Sequence, residues 1–336
     1  MVDYVPLGKS GLLSSEQGLG CMGMSEFYGA GDEDESLAVL ARAYELGVNH
    51  FDTSDLYGRG HNETLIGRFV ATRPRDRLLI ASKFGVVRDP DGPSGSTYDR
   101  TLNNTRAYMR ACCESSLRRL KTDHLDLYYL HRHDPKVPIE EIVAGMAELV
   151  REGKIRAIGL SEISADILKR AHTVAPIAVL QSEYSLFCRD VEIDILPTCR
   201  ALGTTFLPYS PLGRGILTGR LTSIDTLDAN DLRRVSPRFA KDRVAADLVL
   251  VEKIREIGKR HNATPAQVAL AWLKQKRADI VPIPGTKRRR YLEENIAALS
   301  VHLSNEDIVI LDALAPFDPA AAPQKWSTVP TERADS

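Results

Sequence analysis

The chain has 336 residues, a formal net charge of −1 and a hydrophobic content of 43%. That length fits either two average domains or one large α/β barrel. A net charge near zero argues against nucleic acid or an anionic membrane as the main partner. No apolar run approaches the roughly 20 residues of a membrane-spanning helix. The N-terminal sequence lacks a charged segment followed by an apolar one, so we expect no signal peptide and a cytoplasmic location.

The cysteine content gives no sign of a disulfide framework or a zinc site. The number of cysteines is odd, and their spacing matches no zinc motif. They are Cys21, Cys112, Cys113, Cys188 and Cys199. We therefore expect free thiols in a reducing compartment.

Eight short apolar segments follow one another along the chain, and each precedes a segment of helical character. The predicted strands are 18–23, 48–52, 77–83, 125–131, 155–161, 177–185, 204–212 and 279–286. This alternation predicts parallel strands joined by crossover helices. Eight units in one chain of this length predict a single (β/α)8 TIM barrel domain over residues 1–336. The glycines of "GLGCMG" fall within the first predicted strand and no GxGxxG follows it, which argues against a doubly wound sheet.

Three segments stand outside this alternation. The opening "DYVPLGKSGLLSSEQG" has a glycine-containing turn between short apolar runs, which predicts a β-hairpin closing the barrel floor. Residues 213–240 form an insertion after the seventh strand, and we expect them to fold over a cofactor. The tail from Pro316 is rich in alanine and proline and is expected to be an irregular loop over the active site.

Polar or ionisable side chains stand at seven of the eight predicted strand ends. The strand-end residues are Cys21, Met22, Asp52, Lys83, His131, Ser161, Glu162, Gln181, Tyr209, Ser210, Gly285, Thr286 and Lys287. In (β/α)8 enzymes the active site lies at the C-terminal ends of the strands. Strands that serve packing alone would not carry such residues consistently, so the set predicts an active site.

Tyr57, one short turn beyond Asp52, gives this predicted site a proton donor. A phenol keeps its proton at neutral pH, and a neighbouring ammonium such as Lys83 would lower its pKa and make it a better acid. Asp52 supplies the counter-charge for Lys83, and His131 can orient a substrate oxygen. None of the four is a strong nucleophile toward carbon. A carbonyl reduction here would therefore need a hydride from a nicotinamide.

The chain resembles the aldo-keto reductase family over nearly its whole length. The motifs that carry the resemblance are "LGKSGL", "GLGCMGMSEFYG", "FDTSDLYG", "ASKFG", "YYLHRHDP", "IGLSE", "QSEYSL", "PYSPLGRGILTG" and "PIPGTKRRRYLEEN". Each motif is modest alone, but their order and spacing are highly specific. The "GCMGMS" and "GTKRR" segments resemble the branch that includes carbonyl and pyridoxal reductases. The resemblance implies NADPH-dependent reduction of an aldehyde or ketone to an alcohol.

The resemblance also implies a role for individual residues. The implied catalytic tetrad, with Tyr57 as the general acid, is Asp52, Tyr57, Lys83 and His131. The residues implied to hold the nicotinamide are Ser161, Glu162, Gln181 and Tyr209. Those implied to line the pyrophosphate are Ser210, Pro211, Leu212, Gly215, Arg220 and Arg238. Those implied to hold the adenosine end are Lys287, Tyr291, Glu294 and Asn295. We also assign to the cofactor site the strand-end residues Cys21, Met22 and Gly285.

Two details of the implied cofactor site carry further expectations. Glu162 stands where asparagine is common in the family, and a carboxylate only accepts hydrogen bonds, so it would bind the carboxamide NH2. Residues 286–290, "TKRRR", place four cations where the last predicted helix begins. A phosphate binds well at a helix N-terminus beside arginine or lysine, so we expect NADPH in preference to NADH.

Substrate specificity in such barrels depends on loops, here 24–32, 86–100, 213–240 and 316–336. The residues expected to line the substrate pocket are Tyr28, Phe84, His133 and Trp326. The sequence carries no prediction of the oligomeric state.

Two other functions are consistent with parts of the sequence. His131, His133 and Asp134 stand close enough for a barrel metal hydrolase, but the other strand ends offer few further ligands, so we expect no metal. Potassium-channel β subunits resemble this chain at the cofactor clamp and act chiefly as channel partners. They carry asparagine where this chain has His131, so the full tetrad favours an enzyme over a redox-sensing subunit.

Overall fold

Strands and helices alternate along the chain in a computed structural model that describes residues 2–88, 100–229, 231–276 and 279–314. The strands are β1 (Tyr4–Pro6), β2 (Leu13–Ser15), β3 (Leu19–Gly20), β4 (His50–Asp52), β5 (Leu79–Phe84), β6 (Val86–Arg88), β7 (Arg100–Leu102), β8 (Leu125–Leu130), β9 (Ile155–Ser161), β10 (Ile177–Glu183) and β11 (Thr205–Tyr209). The helices are α1 (Glu33–Glu45), α2 (His61–Val70), α3 (Arg106–Leu120), α4 (Ile139–Arg151), α5 (Ala165–Val174), α6 (Ile195–Leu202), α7 (Lys241–Arg260), α8 (Pro265–Lys276), α9 (Arg289–Ala297) and α10 (Asn305–Leu314).

Seven of the strands form one parallel sheet in the order β3, β4, β5, β8, β9, β10 and β11. The sheet curves into a barrel with helices outside it, so strands such as β8 are buried on both faces. Side chains alternate between the two faces. Leu127 and Tyr129 of β8 fill the barrel interior, whereas Tyr128 and Leu130 pack against the helices. This architecture confirms the predicted (β/α)8 barrel.

The barrel is closed by residues 279–285, which we call the closing segment. On one side the Val281 N–H donates to the Phe206 carbonyl at 3.0 Å, and on the other the Gly18 N–H donates to the Pro282 carbonyl at 3.0 Å. Proline has no N–H to return to β3, so this edge is held through carbonyl oxygens alone. The eighth predicted strand is therefore present in position, but only as isolated bridges.

The N-terminal hairpin, β1 paired antiparallel with β2, closes the barrel floor as predicted. Leu7 and Leu12 lie in its turn region, are almost wholly buried, and pack with interior side chains such as Leu79 and Leu207. The Gly8 N–H donates to the Thr205 hydroxyl at 2.8 Å. Apolar contacts and this bond fix the hairpin beneath the strands.

Two of the predicted loops contain regular or ordered backbone. The 86–100 region begins and ends as an antiparallel ribbon of β6 and β7, and its tip lies outside the described residues. The 213–240 insertion contains short 3-10 turns and reaches the 24–32 loop, where the Leu232 N–H donates to the Phe27 carbonyl at 3.0 Å. The tail from residue 315 lies outside the described residues. Among the described helices, none is long and apolar enough to cross a membrane.

Gly159 of β9 faces the barrel interior and makes room for Tyr129. A Cβ at residue 159 would lie 2.3 Å from the nearest carbon of the Tyr129 ring, which is fully buried. We expect Gly159→Ala to lower the free energy of unfolding by about 1–3 kcal/mol through overpacking. Urea denaturation followed by circular dichroism measures it. Gly145→Ala, whose added Cβ has the flexible side chains of Met109 and Arg106 as its nearest neighbours at 3.1 and 3.2 Å, is the control. Equal stability of the two variants would contradict the prediction.

Candidate active site

The four residues of the predicted tetrad meet at the C-terminal mouth of the barrel. Asp52 ends β4, Lys83 lies near the end of β5, and His131 follows β8 directly. Tyr57 opens a 3-10 turn shortly after β4. All four side chains are buried. Because residues 50, 52 and 83 alternate with the outward-facing Phe51 and Phe84, the strand pleat directs the acid and the lysine inward.

Asp52 and Lys83 form a buried ion pair with further partners. The ammonium donates to an Asp52 carboxylate oxygen and to the Thr53 carbonyl, the latter at 2.8 Å. The other Asp52 oxygen accepts from Gln181 Nε2 at 2.8 Å. Burial by itself would lower the pKa of Lys83, but the Asp52 charge, with a contribution from Tyr57, outweighs it and raises the pKa above its ordinary value. Lys83 therefore remains an ammonium at neutral pH.

Tyr57 lies against this ammonium, with Lys83 Nζ 5.2 Å from the centre of its ring. Burial raises the pKa of Tyr57 above its ordinary value, although Lys83 acts to lower it. The sequence predicted that Lys83 lowers this pKa, and it does so, but burial outweighs the single ammonium and the net shift is upward. Tyr57 therefore holds its proton firmly, and Lys83 limits the cost of releasing it.

His131 packs edge-on against Tyr57, with 6.0 Å between the ring centres. Its Nδ1 lies 3.2 Å from the Ser54 hydroxyl oxygen. Burial lowers the pKa of His131 well below its ordinary value, and the charges of Arg132, Lys83 and Arg100 add to this. The imidazole is therefore neutral and acts through hydrogen bonds instead of charge.

The residues predicted to hold a carboxamide lie on two neighbouring strand ends. Ser161 and Gln181 are register partners on β9 and β10, and the Glu162 N–H donates to the Gln181 carbonyl at 3.0 Å. The Ser161 hydroxyl accepts from Arg132 at 3.2 Å, and one Glu162 carboxylate oxygen accepts from the Glu183 N–H at 2.8 Å. One acceptor oxygen of Glu162 is therefore already hydrogen-bonded to the backbone of β10.

Tyr209 ends β11 beside a buried ion pair. The Arg214 guanidinium lies 5.9 Å from the centre of the Tyr209 ring and 3.2 Å from a carboxylate oxygen of Glu183. Ser210 and Gly215 adopt positive φ angles of 50° and 100° in the turn that follows, which also contains the predicted residues Pro211 and Leu212. Within this turn the Gly213 N–H donates to the Ser210 carbonyl at 2.9 Å and the Gly215 N–H to the Leu212 carbonyl at 3.0 Å.

The residues predicted at the adenosine end also form connected contacts. Arg220 lies 4.5 Å from the centre of the Tyr291 ring and pairs with Glu294 at 2.6 Å. The adjacent Asn295 is buried. Lys287 donates to the carbonyls of residues 28 and 30 at 2.6 and 2.7 Å, so it joins the helix α9 region to the 24–32 loop.

A basic cleft of about 430 Å³ lies at the start of α9. Its lining residues are Glu35, Arg42, Arg288, Arg289, Arg290 and Glu293. Arg289 pairs with Glu35 at 3.1 Å, and Arg290 lies over the Tyr291 ring at 4.5 Å. A helix N-terminus with arginines around it favours an anion.

The remaining predicted cofactor residues have varied surroundings. The Cys21 N–H donates to the Asp52 carbonyl at 2.9 Å, and Met22 packs on the cluster around Tyr57. Gly285 bridges Gly20, and a Cβ on Gly285 would lie 3.0 Å from the Gly20 carbonyl oxygen, so the close approach requires glycine. In a different set of contacts, the guanidinium of Arg238 pairs with Asp247 and lies over the Phe187 ring.

The four residues predicted to line the substrate pocket have different positions. Tyr28 packs on the apolar cluster around Tyr57, with the Arg233 guanidinium 5.0 Å from its ring centre. The structure does not bring Phe84 to this cluster, because it faces outward and stacks on Tyr128 in the helical layer. His133 Nε2 binds the backbone carbonyl of residue 137 at 2.8 Å. Trp326 lies outside the described residues.

Sequence analysis missed an apolar group that surrounds Tyr57. Its other members are Met22, Phe27, Tyr28, Leu56, Val86, Leu102 and Leu232. The guanidiniums of Arg88 and Arg100 lie 5.7 and 5.3 Å from the centre of the Phe27 ring. A second omission was Ser54 and Asp55, which lie within "FDTSDLY" and were given no role. Within the described residues, no three His, Cys, Asp or Glu side chains gather as a metal site.

The comparisons with known proteins define the class. The model of the aldo/keto reductase family matches residues 17–316. A probable aldo-keto reductase 1 of Glycine max is 42% identical over 308 residues, covering 91% of this chain and 87% of the relative. A glycerol dehydrogenase of Gluconobacter oxydans superimposes with a TM-score of 0.84 at 27% identity, covering 94% of this chain and 98% of that one. An aldo-keto reductase of Bacillus halodurans, in its holo form, gives 0.74 at 27%, covering 94% and 97%.

The chain therefore belongs to the aldo-keto reductase family. It is an oxidoreductase of a class that reduces carbonyl groups of small molecules with a nicotinamide cofactor. The donor set of this structure fits such a cofactor. A hydroxyl and an amide stand side by side on Ser161 and Gln181, which suits a carboxamide. The arginines at the start of α9 suit a phosphate.

The Asp52–Lys83 pair makes a prediction about stability. Lys83→Met leaves the Asp52 carboxylate buried without its counter-charge, and we expect a loss of roughly 3–5 kcal/mol in the free energy of unfolding. Adding Asp52→Asn to Lys83→Met should restore most of that loss. Urea denaturation of both variants measures this.

The control for this pair is Lys154→Met, which removes a lysine paired with Glu114 at 2.7 Å near the surface and should cost about 1 kcal/mol or less. A single Lys83→Met variant as stable as the Lys154→Met variant would show that the buried pair is not under the expected electrostatic constraint.

Proposed function

We propose that the protein reduces an aldehyde or ketone to an alcohol with NADPH, and that Tyr57 is the general acid. One observation carries the proposal. A buried phenol with a raised pKa lies against a buried ammonium, Lys83, and a neutral imidazole, His131. This combination suits the protonation of a carbonyl oxygen, because the donor keeps its proton until negative charge develops beside it.

The bound cofactor supplies the hydride. The Tyr57 hydroxyl gives its proton to the substrate oxygen, and the phenolate that remains is stabilised by the neighbouring ammonium of Lys83. Asp52 keeps Lys83 charged and fixed through their ion pair. His131 donates a ring N–H to the same substrate oxygen and orients it. The apolar group around Tyr57 excludes water from this transfer.

The cofactor residues of this proposal follow the strand ends. Ser161, Glu162 and Gln181 bind the carboxamide, and Tyr209 contacts the nicotinamide ring. The turn from Ser210 lines the pyrophosphate, and α9 holds the adenosine end. Gln181 also donates to Asp52 at 2.8 Å, so the carboxamide and the catalytic ion pair share one side chain. The basic cleft beside α9 supports a 2′-phosphate and hence NADPH.

The acid role of Tyr57 is tested by Tyr57→Phe. We expect kcat for carbonyl reduction to fall about 10²–10⁴-fold, because only the proton donor is lost. NADPH affinity, measured by fluorescence titration, should stay within about twofold. The substrates are pyridoxal, nitrobenzaldehyde and methylglyoxal. Tyr44→Phe, which removes a hydroxyl from the helical layer, is the control. Unchanged turnover in Tyr57→Phe would contradict the assignment, and tight NADPH binding without turnover in the wild type would favour a redox-sensing subunit.

The cofactor preference is tested by a double Arg288→Ala, Arg289→Ala variant. Each lost charge-assisted bond weakens binding, so we expect the Kd for NADPH to rise by about tenfold or more. The Kd for NADH should change little, since NADH lacks the 2′-phosphate. The control is Arg118→Ala on α3, which removes one arginine charge outside the cleft. Equal weakening of NADPH and NADH binding would indicate that the two arginines contact a part of the cofactor other than the 2′-phosphate.

A further inference from the structure

The Ser54 hydroxyl stands between two titratable side chains. Its oxygen lies 3.1 Å from Asp55 Oδ1 and 3.2 Å from His131 Nδ1. It also accepts the Leu56 N–H at 3.1 Å. A hydroxyl has one proton and two lone pairs. Leu56 occupies one lone pair, so one proton and one lone pair remain for Asp55 and His131.

This count permits two arrangements of protons. When Asp55 is a carboxylate it can only accept, so the Ser54 hydroxyl donates its hydrogen bond to Asp55. His131 Nδ1 must then donate to the Ser54 oxygen. Since the ring is neutral, Nε2 then carries no proton. When Asp55 is protonated it donates to Ser54, and Ser54 donates to Nδ1. The ring proton is then on Nε2, the nitrogen left for a substrate.

We propose that Asp55, acting through the Ser54 hydroxyl, is a positioning residue that determines which nitrogen of His131 carries the ring proton. His131 then donates from Nε2 to a carbonyl oxygen when Asp55 is protonated, and accepts an alcohol O–H at Nε2 when Asp55 is ionised. The consequence for catalysis rests on the proposed function, whereas the proton arrangement does not.

The protons balance along this chain of three groups. One proton from the solvent binds Nε2, the Nδ1 proton passes to the Ser54 oxygen, and the former Ser54 proton passes to Asp55. The reverse sequence releases one proton through Nε2. His131 remains neutral in both end states, in agreement with the burial and the cations that lower its pKa.

The surroundings of Asp55 allow it to titrate in the neutral range. Burial, with a further contribution from Glu63 on α2, raises its pKa to about 7, whereas Ser54, Cys112 and Arg119 act in the opposite direction. The other ionisable groups that face Asp55 are Tyr108 of α3 and Tyr128 of β8. The charged groups that face His131 are Lys83, Arg100 and Arg132. An ordinary aspartate, by contrast, is fully ionised at neutral pH.

Nitrogen NMR of protein labelled with ¹⁵N-histidine reads the tautomer directly, in the absence of cofactor and substrate. We expect His131 to carry the proton on Nε2 below about pH 7 and on Nδ1 above it, with the change centred at the pKa of Asp55. In Asp55→Asn the amide NH2 donates to Ser54 at every pH, so the Nε2–H form should persist. His131→Asn identifies the signal.

Two further variants separate the relay from a general effect of charge. Ser54→Ala removes the connecting hydroxyl while keeping Asp55, and should abolish the pH-dependent change at His131. Cys112→Ala removes a hydrogen bond that lowers the pKa of Asp55, so the change should persist with its midpoint at higher pH. Both variants also serve if Asp55→Asn does not fold.

The kinetic counterpart compares the two reaction directions. About one pH unit above the wild-type midpoint, Asp55→Asn should lower kcat for alcohol oxidation relative to carbonyl reduction by about tenfold. A single His131 tautomer across the titration in the wild type, or an unaltered transition in Asp55→Asn or Ser54→Ala, overturns the inference. Failure of Tyr57→Phe to lose turnover would instead refute the proposed function and leave the NMR result standing.

Discussion

The buried Asp52–Lys83 ion pair is the constraint on which the rest of the site depends. Bringing both charges out of water is costly, and only close contact with additional hydrogen bonds compensates that cost. The Thr53 carbonyl and the Gln181 amide provide those bonds, and both belong to strands or strand ends of the barrel. The pair therefore fixes the relative positions of β4, β5 and β10 at the mouth. It also places a permanent positive charge beside Tyr57, where the proposed chemistry generates a negative one.

The same burial acts differently on the three titratable groups around the pair. It raises the pKa of Tyr57 and lowers that of His131, so both remain neutral, whereas Lys83 stays charged because Asp52 outweighs burial. A cation among neutral hydrogen-bonding groups is oriented in advance to stabilise negative charge that develops on a substrate oxygen. Water would screen that field, and the apolar group that includes Phe27 and Leu232 keeps it away.

Sequence reasoning predicted what depends on chain periodicity and missed what depends on packing. The eight-unit alternation and the polar strand ends follow from local patterns, and both are present. The closing segment lies where the eighth strand was predicted, but it forms isolated bridges instead of a regular ladder of hydrogen bonds, since Pro282 has no N–H. Phe84 was expected to line the substrate pocket, although the strand pleat turns it outward. The sign of the Tyr57 pKa shift required the balance of burial against one charge, which a sequence does not contain.

Ser54 and Asp55 show why a short motif can be located yet incompletely interpreted. "FDTSDLYG" drew attention to its acid and its phenol, which stand at positions with evident chemistry. A role for Ser54 and Asp55, two of the four residues between them, follows only from the folded turn after β4. That turn brings the Ser54 hydroxyl within 3.2 Å of Nδ1 of His131, which is 77 residues away in sequence. The Ser54 hydroxyl has one proton to donate and two neighbouring groups, Asp55 and His131, that can accept it. It therefore couples the protonation states of the two groups, whatever their separation along the chain. The turn that contains Tyr57 therefore also connects the His131 imidazole to the Asp55 carboxyl group through Ser54.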